Sequence, residues 1–171
     1  MEERVVLGLG SNKGWGGKSP LELLEAACRK LSSLLSGFSY SSVYVTEPMY
    51  LERQAKFLNM VVSGFVPGCE PDALLARLHE LETALGRERS RELRNGPRSM
   101  DIDIELFGER RVVSETLEIP HPRMRERAFV LVPMMEILGE SADSKRYEEL
   151  FSHAKRLGAG GVRKLLRFEG L

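Results

Sequence analysis

Six stretches between Val5 and Leu106 alternate between the two hydrophobic periods open to a folded chain, and their order restricts the fold more than any other feature. Val5 to Leu9 is a short apolar run suited to a buried strand. After a glycine-rich loop from Gly10 to Lys18, Ser19, Pro20 and Glu22 fit N-cap, N1 and N3 of a capping box. Leu24, Ala27, Cys28, Leu31, Leu34 and Leu35 then form a helical stripe ending at Gly37. Phe38 to Thr46 returns to aromatic and β-branched strand character, and Phe57 to Val66 is a further strand stopped by Pro67-Gly68. A second helix runs from about Pro71, with Leu74, Leu75, Leu78, Leu81 and Leu85 on one stripe and Gly86 as its stop. A strand from Asp101 completes the set.

Strand-helix-strand-strand-helix-strand with right-handed crossovers puts both helices on one face of an antiparallel sheet. This predicts an α+β fold with a ferredoxin-like βαββαβ core. The bare face needs a cover, and Ala128 to Ile137, begun near Met124, reads as the helix that builds it, giving α/β/α layers. Arg111 to Val113 adds a short strand, Tyr147 to Leu157 a helix, and Val162 to Phe168 a last strand. The 171 residues suit one domain, 1–171, with a sizeable core.

The last core strand carries the chemistry. In Gly96-Pro97-Arg98-Ser99-Met100-Asp101-Ile102-Asp103-Ile104-Glu105-Leu106-Phe107-Gly108, acidic and apolar residues alternate behind a Gly-Pro-Arg turn. Side chains of a strand point alternately to opposite faces, so Ile102, Ile104 and Leu106 enter a core while Asp101, Asp103 and Glu105 share the other face. Carboxylates two residues apart are roughly 7 Å apart along the strand. They repel unless hard cations sit between them, and Mg²⁺ prefers such oxygen donors. The competing reading is a solvated acidic face. Just upstream, Arg87, Arg89, Arg91, Arg94 and Arg98 lie in a segment without apolar periodicity. Guanidinium forks suit phosphate oxygens, and Mg²⁺ is usually bound by one or two carboxylates plus substrate phosphates, so together these features point to a polyphosphate ligand.

Lys+Arg and Asp+Glu are both 25, which argues against nucleic acid as the main partner. Cys28 falls in a helical apolar stripe and Cys69 in a turn, without metal-type spacing, which suits a reducing cytoplasm. Neither a signal-peptide pattern nor a membrane-length apolar stretch is present, so no membrane partner is expected.

The motif, its loop and the element order together resemble the 6-hydroxymethyl-7,8-dihydropterin pyrophosphokinases of folate biosynthesis. The matching pieces are Gly8-Leu9-Gly10-Ser11-Asn12, Val43-Tyr44-Val45-Thr46-Glu47-Pro48, Phe57-Leu58-Asn59, Gly96 to Ile104, and Ile119-Pro120-His121-Pro122-Arg123-Met124-Arg125-Glu126-Arg127-Ala128-Phe129. The resemblance covers about 5–138; residues 139–171 carry none. It implies transfer of the β,γ-pyrophosphoryl group of ATP to the pterin hydroxymethyl oxygen, with release of AMP, by a cytoplasmic monomer. By the same resemblance Asp101 and Asp103 hold two Mg²⁺ ions, and Arg87 and Arg98 join them as catalytic residues. Arg98, His79, Glu82, Ile104, His121 and Arg127 meet ATP. Thr46, Glu47, Pro48, Met49, Phe57, Asn59 and Phe129 meet the pterin, with Phe57 and Phe129 stacking on the ring and Asn59 reading its edge. Taken singly, His121 reads as a turn residue between prolines, Phe57 and Phe129 as core aromatics, and His79 and Glu82 as exposed helical residues. Departures from the family pattern are an arginine loop about one residue longer, Asn95 where an aromatic is common, Pro122 after the histidine and Glu47 in place of an apolar or proline residue.

Two other classes compete. An RNA-binding module would use the same sheet and arginine loop, although Asp101 and Asp103 would repel a nucleic-acid backbone. A metal-dependent phosphoesterase would use the same carboxylates to activate water.

Overall fold

The computed structural model describes residues 2–48, 53–90, 96–139, 141 and 144–171. Strand β1 (Glu2–Ser11) leads to helix α1 (Pro20–Leu34), whose capping box forms as expected. Ser19 Oγ accepts from the Glu22 N–H at 3.3 Å, and the Ser19 N–H donates to Glu22 at 2.8 Å. The helix stops three residues before Gly37, because Ser36 already pairs with Phe65 in the sheet. The expected single strand Phe38 to Thr46 is two, β2 (Ser36–Tyr40) and β3 (Val43–Thr46). Both lie against β4 (Phe57–Pro67), and the break between them is polar. Ser41 turns its hydroxyl to accept from the Val61 N–H, and Ser42 gives both its N–H and its hydroxyl to Glu136.

Helix α2 (Pro71–Ala84) crosses back to β5 (Asp101–Phe107). The sheet order β5-β1-β4-β3 is antiparallel throughout, which is the ferredoxin-like arrangement. After the two-residue strands β6 (Val112–Val113) and β7 (Glu118–Ile119), the chain forms α3 (Ala128–Leu138), α4 (Glu148–Leu157) and β8 (Val162–Leu166), which extends the sheet beyond β3.

Alternation along the strands builds two cores. Val5, Leu7 and Leu9 of β1, Met60 and Val62 of β4, and Ile102 and Ile104 of β5 pack with Leu24, Cys28, Leu31, Leu74 and Leu78 of α1 and α2. Val6 and Val61 point the other way and meet Val130, Leu131, Met134, Leu150 and Ala154 of α3 and α4. Each fully buried aliphatic side chain contributes about 1.5–3 kcal/mol. Glu136 ties the second layer to the sheet, accepting from Tyr44 at 2.8 Å as well as from Ser42. No helix among the described residues is long and apolar enough to cross a membrane.

Candidate active site

At one end of the sheet, the face turned toward α3 is left open over a cavity of about 260 Å³. Its floor is set by strand pairing. Gly10 of β1 stands opposite Asp101 of β5, and Gly8 opposite Asp103, so the aspartates project beside a strip of chain that has no side chains on that face. Space explains the glycines: a Cβ on Gly10 would lie 3.1 Å from Asn59 Oδ1, and one on Gly8 2.8 Å from Glu105 Oε1.

The arginine segment is aimed from the end of α2. Gly86 has φ 89°. Its N–H donates to the Thr83 carbonyl and the Arg87 N–H to that of Glu82, both at 3.0 Å. This left-handed helix stop turns Arg87 back toward Glu82. The ring of Trp15 lies against Gly86 where a Cβ would stand. Glu82 is fully buried. Its Oε1 accepts from Arg87 and from the Ile102 N–H, both at 2.7 Å, and its Oε2 accepts from Arg89. Arg87 also bonds Asp101, and Arg98 approaches the other Asp101 oxygen at 3.2 Å. The Arg98 backbone is pinned by Asn12, whose Oδ1 accepts its N–H at 2.9 Å while its own N–H donates to the Arg98 carbonyl at 3.1 Å. From the opposite wall Arg127 reaches Asp103 at 3.2 Å, and His121 Nε2 lies 3.9 Å from the same oxygen.

These neighbours divide the two aspartates. Burial pulls the Asp101 carboxyl upward, but Arg98 and then Arg87 outweigh it and hold it below its ordinary value. Asp103 is pushed up to about 7, first by burial and then by the Asp101 charge, against the pull of Arg127. Glu105, next on the same face, is raised well above its ordinary value by burial and then by Asp103. Burial, with Arg127 next, brings His121 down to about 4, so it is neutral at pH 7. Its Nδ1 accepts from the Arg123 N–H at 3.1 Å, which assigns the remaining proton to Nε2, facing the site.

The other half of the cavity is flat and apolar with one polar corner. Phe57 and Phe129 are half-buried at its walls, each under an arginine: Arg98 lies 5.4 Å from the centroid of Phe57 and Arg127 5.7 Å from that of Phe129. Asn59 donates to Thr46 Oγ1 at 2.7 Å.

The structure thus brings Arg87, Arg98, Asp101, Asp103, His121, Arg127, Thr46, Glu47, Phe57, Asn59 and Phe129 around one cavity. Glu47 stands at the rim, paired with Lys56 at 2.6 Å. Pro48 is described but does not line the cavity, and Met49, Arg91, Arg94 and Asn95 lie outside the described residues. The Ile104 side chain is 3% exposed and packs under α1 and α2, because the alternation that turns Asp103 toward the cavity turns it away, which leaves the Ile104 backbone as its part open to a ligand. Glu82 is no exposed helical residue but sits buried behind the arginines, and His79 stands one turn before it on α2, half-buried. Sequence reasoning missed the roles of Asn12 and Gln54, and it placed Glu105 on the face of the aspartates without giving it a role. Asn12 joins three segments, donating to Gln54 and to the Ala55 carbonyl at 3.0 Å each; its place directly after Gly10-Ser11 was the only signal. The face on which an RNA-binding sheet would stack bases is covered by α3 and α4, which removes that reading.

A sequence profile of the 7,8-dihydro-6-hydroxymethylpterin-pyrophosphokinase family matches residues 6–139. A folate synthesis bifunctional protein of Arabidopsis thaliana is 36% identical over 162 residues, covering 94% of this chain and 32% of that protein. The 2-amino-4-hydroxy-6-hydroxymethyldihydropteridine pyrophosphokinase of Pseudomonas aeruginosa is 35% identical over 139 residues, covering 80% of this chain and 82% of that one. The chain spans only 27% to 32% of the length of the plant bifunctional relatives. A crystal structure of an HPPK-DHPS in complex with substrates superimposes with a TM-score of 0.66 at 14% identity, over 96% of this chain and 46% of that one, and supports the fold.

Proposed function

The chain belongs to the 7,8-dihydro-6-hydroxymethylpterin-pyrophosphokinase family, and on that footing we propose that it transfers the β,γ-pyrophosphoryl group of ATP to 6-hydroxymethyl-7,8-dihydropterin, giving AMP and the pterin pyrophosphate. The observation that carries this reading is the division of one cavity: a carboxylate pair ringed by Arg87, Arg98, Arg127 and His121 meets a flat wall of Phe57, Phe129 and Asn59. The first half suits a polyphosphate, the second a flat heterocycle.

Among the described residues, no three His, Cys, Asp or Glu side chains are grouped to hold a metal unaided. A pair of carboxylates that repel each other, beside phosphate-binding groups, is nevertheless the donor set Mg²⁺ takes when substrate phosphates complete its shell. Asp101 and Asp103 would hold the two Mg²⁺ ions, which neutralise phosphate charge and align the attacking hydroxyl. The residues of the chain do the rest. Arg87 and Arg98 lie within reach of the phosphates on one wall and Arg127 on the other, where their fixed charge meets the charge that builds as the bond to the β-phosphorus forms and the bond to AMP breaks. His121, neutral, donates from Nε2 to a phosphate oxygen. Phe57 and Phe129 hold the ring between them, Asn59 with Thr46 reads its edge, and Glu47 with Pro48 and Met49 completes that side. His79 and Glu82 act from α2, Glu82 by setting the arginines. We read the working unit as a cytoplasmic monomer.

The test is a product assay with ATP, Mg²⁺ and 6-hydroxymethyl-7,8-dihydropterin. Pterin-dependent AMP is expected. ADP, or nucleotide hydrolysis that ignores the pterin, would replace the reading with a phosphoryl transferase or a phosphoesterase.

A further inference from the structure

Glu105 has no part in the chemistry above, yet the strand delivers it to the same cavity. The pairing of β1 with β5 shifts at this point: Leu7 stands opposite Ile104 and Val6 opposite Leu106, leaving Glu105 as the extra residue of a bulge on the side of Asp103. The side chain is 0% exposed, and among the described residues neither carboxyl oxygen has a hydrogen-bond partner. It borders the cavity together with Gly8, Met60, Phe129 and Val130. Orphan acceptors of this kind are costly to bury, and an apolar residue such as those at 102 and 104 would avoid the cost. Gly8 adds to the argument. Glycine weakens a strand interior, but any Cβ there would stand 2.8 Å from Glu105 Oε1. Two unfavourable choices on neighbouring strands thus combine to keep one carboxyl at the cavity floor.

A partner therefore has to come from what fills the cavity. β1 lies between β4, which carries Asn59, and β5, which carries Glu105; a Cβ on Gly10 would stand 3.1 Å from Asn59 Oδ1 and one on Gly8 2.8 Å from Glu105 Oε1, so the two polar groups flank positions two residues apart on β1, roughly 7 Å. That is the scale of a substituted two-ring heterocycle lying between Phe57 and Phe129. We infer that Glu105 is a second edge-reading residue of the substrate pocket, its carboxyl accepting a hydrogen bond from a ring or amino N–H of a pterin-class heterocycle, with Gly8 kept small to leave that carboxyl room. The inference rests on the proposed substrate class, and the experiment separates the two.

Calorimetric binding of 6-hydroxymethylpterin, and separately of α,β-methylene-ATP with Mg²⁺, is compared for the parent chain and for Glu105→Leu, Glu105→Met, Gly8→Ala and the double variant Gly8→Ala/Glu105→Leu. For Glu105→Leu the pterin affinity is expected to fall about tenfold or more, as when a site built to hydrogen-bond its substrate loses that bond. The ATP-analogue affinity should stay within about twofold, and the unfolding midpoint should hold or rise because an orphan polar group is gone. Gly8→Ala should weaken pterin binding by displacing the carboxyl, and adding Glu105→Leu to it should cost nothing further. Unchanged pterin affinity in Glu105→Leu, or equal loss of both ligands, would overturn the inference and leave Glu105 structural. If Glu105→Leu does not fold, Glu105→Met, close in length but without an oxygen acceptor, decides, since loss of pterin affinity at an unchanged midpoint supports the inference and unchanged affinity overturns it. A parent chain that binds ATP analogue but no pterin overturns both the substrate class and the inference, whereas a parent that binds pterin as tightly as its Glu105→Leu variant overturns the inference alone.

Discussion

Replacing Glu82 by glutamine tests whether the arginines are positioned by a buried charge. The carboxylate is fully buried and makes bonds to Arg87 and the Ile102 N–H through one oxygen and to Arg89 through the other. An amide still accepts from Ile102, so the backbone of β5 keeps its partner. What is lost is charge toward Arg87, whose side chain is 9% exposed, and the second acceptor oxygen, which becomes a donor facing Arg89. A charge-assisted bond contributes about 1.5–3 kcal/mol against about 1 for a neutral one, so the Arg87 bond loses about 1.5 kcal/mol. Arg89 is 48% exposed and therefore screened; its pair adds at most about 1 kcal/mol. The sum, about 1.5–2.5 kcal/mol, corresponds to a fall in Tm of about 3–10 °C for a domain of this size. Differential scanning calorimetry of the parent, Glu82→Gln and Arg89→Ala measures it, with Arg89→Ala expected to shift Tm by less than about 3 °C. A Glu82→Gln variant that melts within about 2 °C of the parent would show that the carboxylate does not depend on these partners, and would return Glu82 to the role of a nucleotide contact.

Three further outcomes follow from the site. Asp103 keeps its proton to about pH 7 in the folded chain, against an ordinary value of 3.8, so this group costs stability progressively from about pH 4 to 7 and by a constant amount above that. In cation-free solution Asp103→Asn should therefore match the parent below pH 4 and be the more stable above pH 7, read by urea midpoints across the range; equal midpoints at pH 8 would contradict the half-buried, repelled carboxyl. Asp101→Ala should lower turnover by orders of magnitude while the circular dichroism spectrum stays native, since the change opens no core cavity; loss of the spectrum would make Asp101 structural. Arg98→Ala should cut kcat/KM about 10- to 100-fold with a smaller effect on pterin affinity, and unaltered steady-state kinetics would take Arg98 out of the phosphate site.

Much of the site was legible in the chain because strand alternation is a local rule. Once Asp101 to Leu106 is read as a strand, Asp101, Asp103 and Glu105 must share a face, and the structure places all three there. The same rule turns the Ile104 side chain into the core. Local rules also cover the capping box at Ser19 and the stop at Gly86, where Schellman geometry turns Arg87 toward Glu82.

What a side chain does after it leaves its strand or helix is a different matter, because its partners are distant in sequence. Nothing near Glu82 in the chain says that it is buried under Arg87 and Arg89; that follows from packing α2 against β5. Ser41 and Ser42 divide one expected strand into two because Glu136 arrives from α3. Only the fold sets Gly8 beside Glu105, since pairing of β1 with β5 puts a missing Cβ against a buried carboxyl. The sequence by itself determined the elements, their order, the face of the aspartates and, through resemblance, the family; the tertiary structure decided which charges are paired, which is left orphaned, and that two half-sites meet in one cavity. The physical reason is range: backbone periodicity acts over a few residues, whereas burial and electrostatic pairing depend on groups that only the folded sheet brings together.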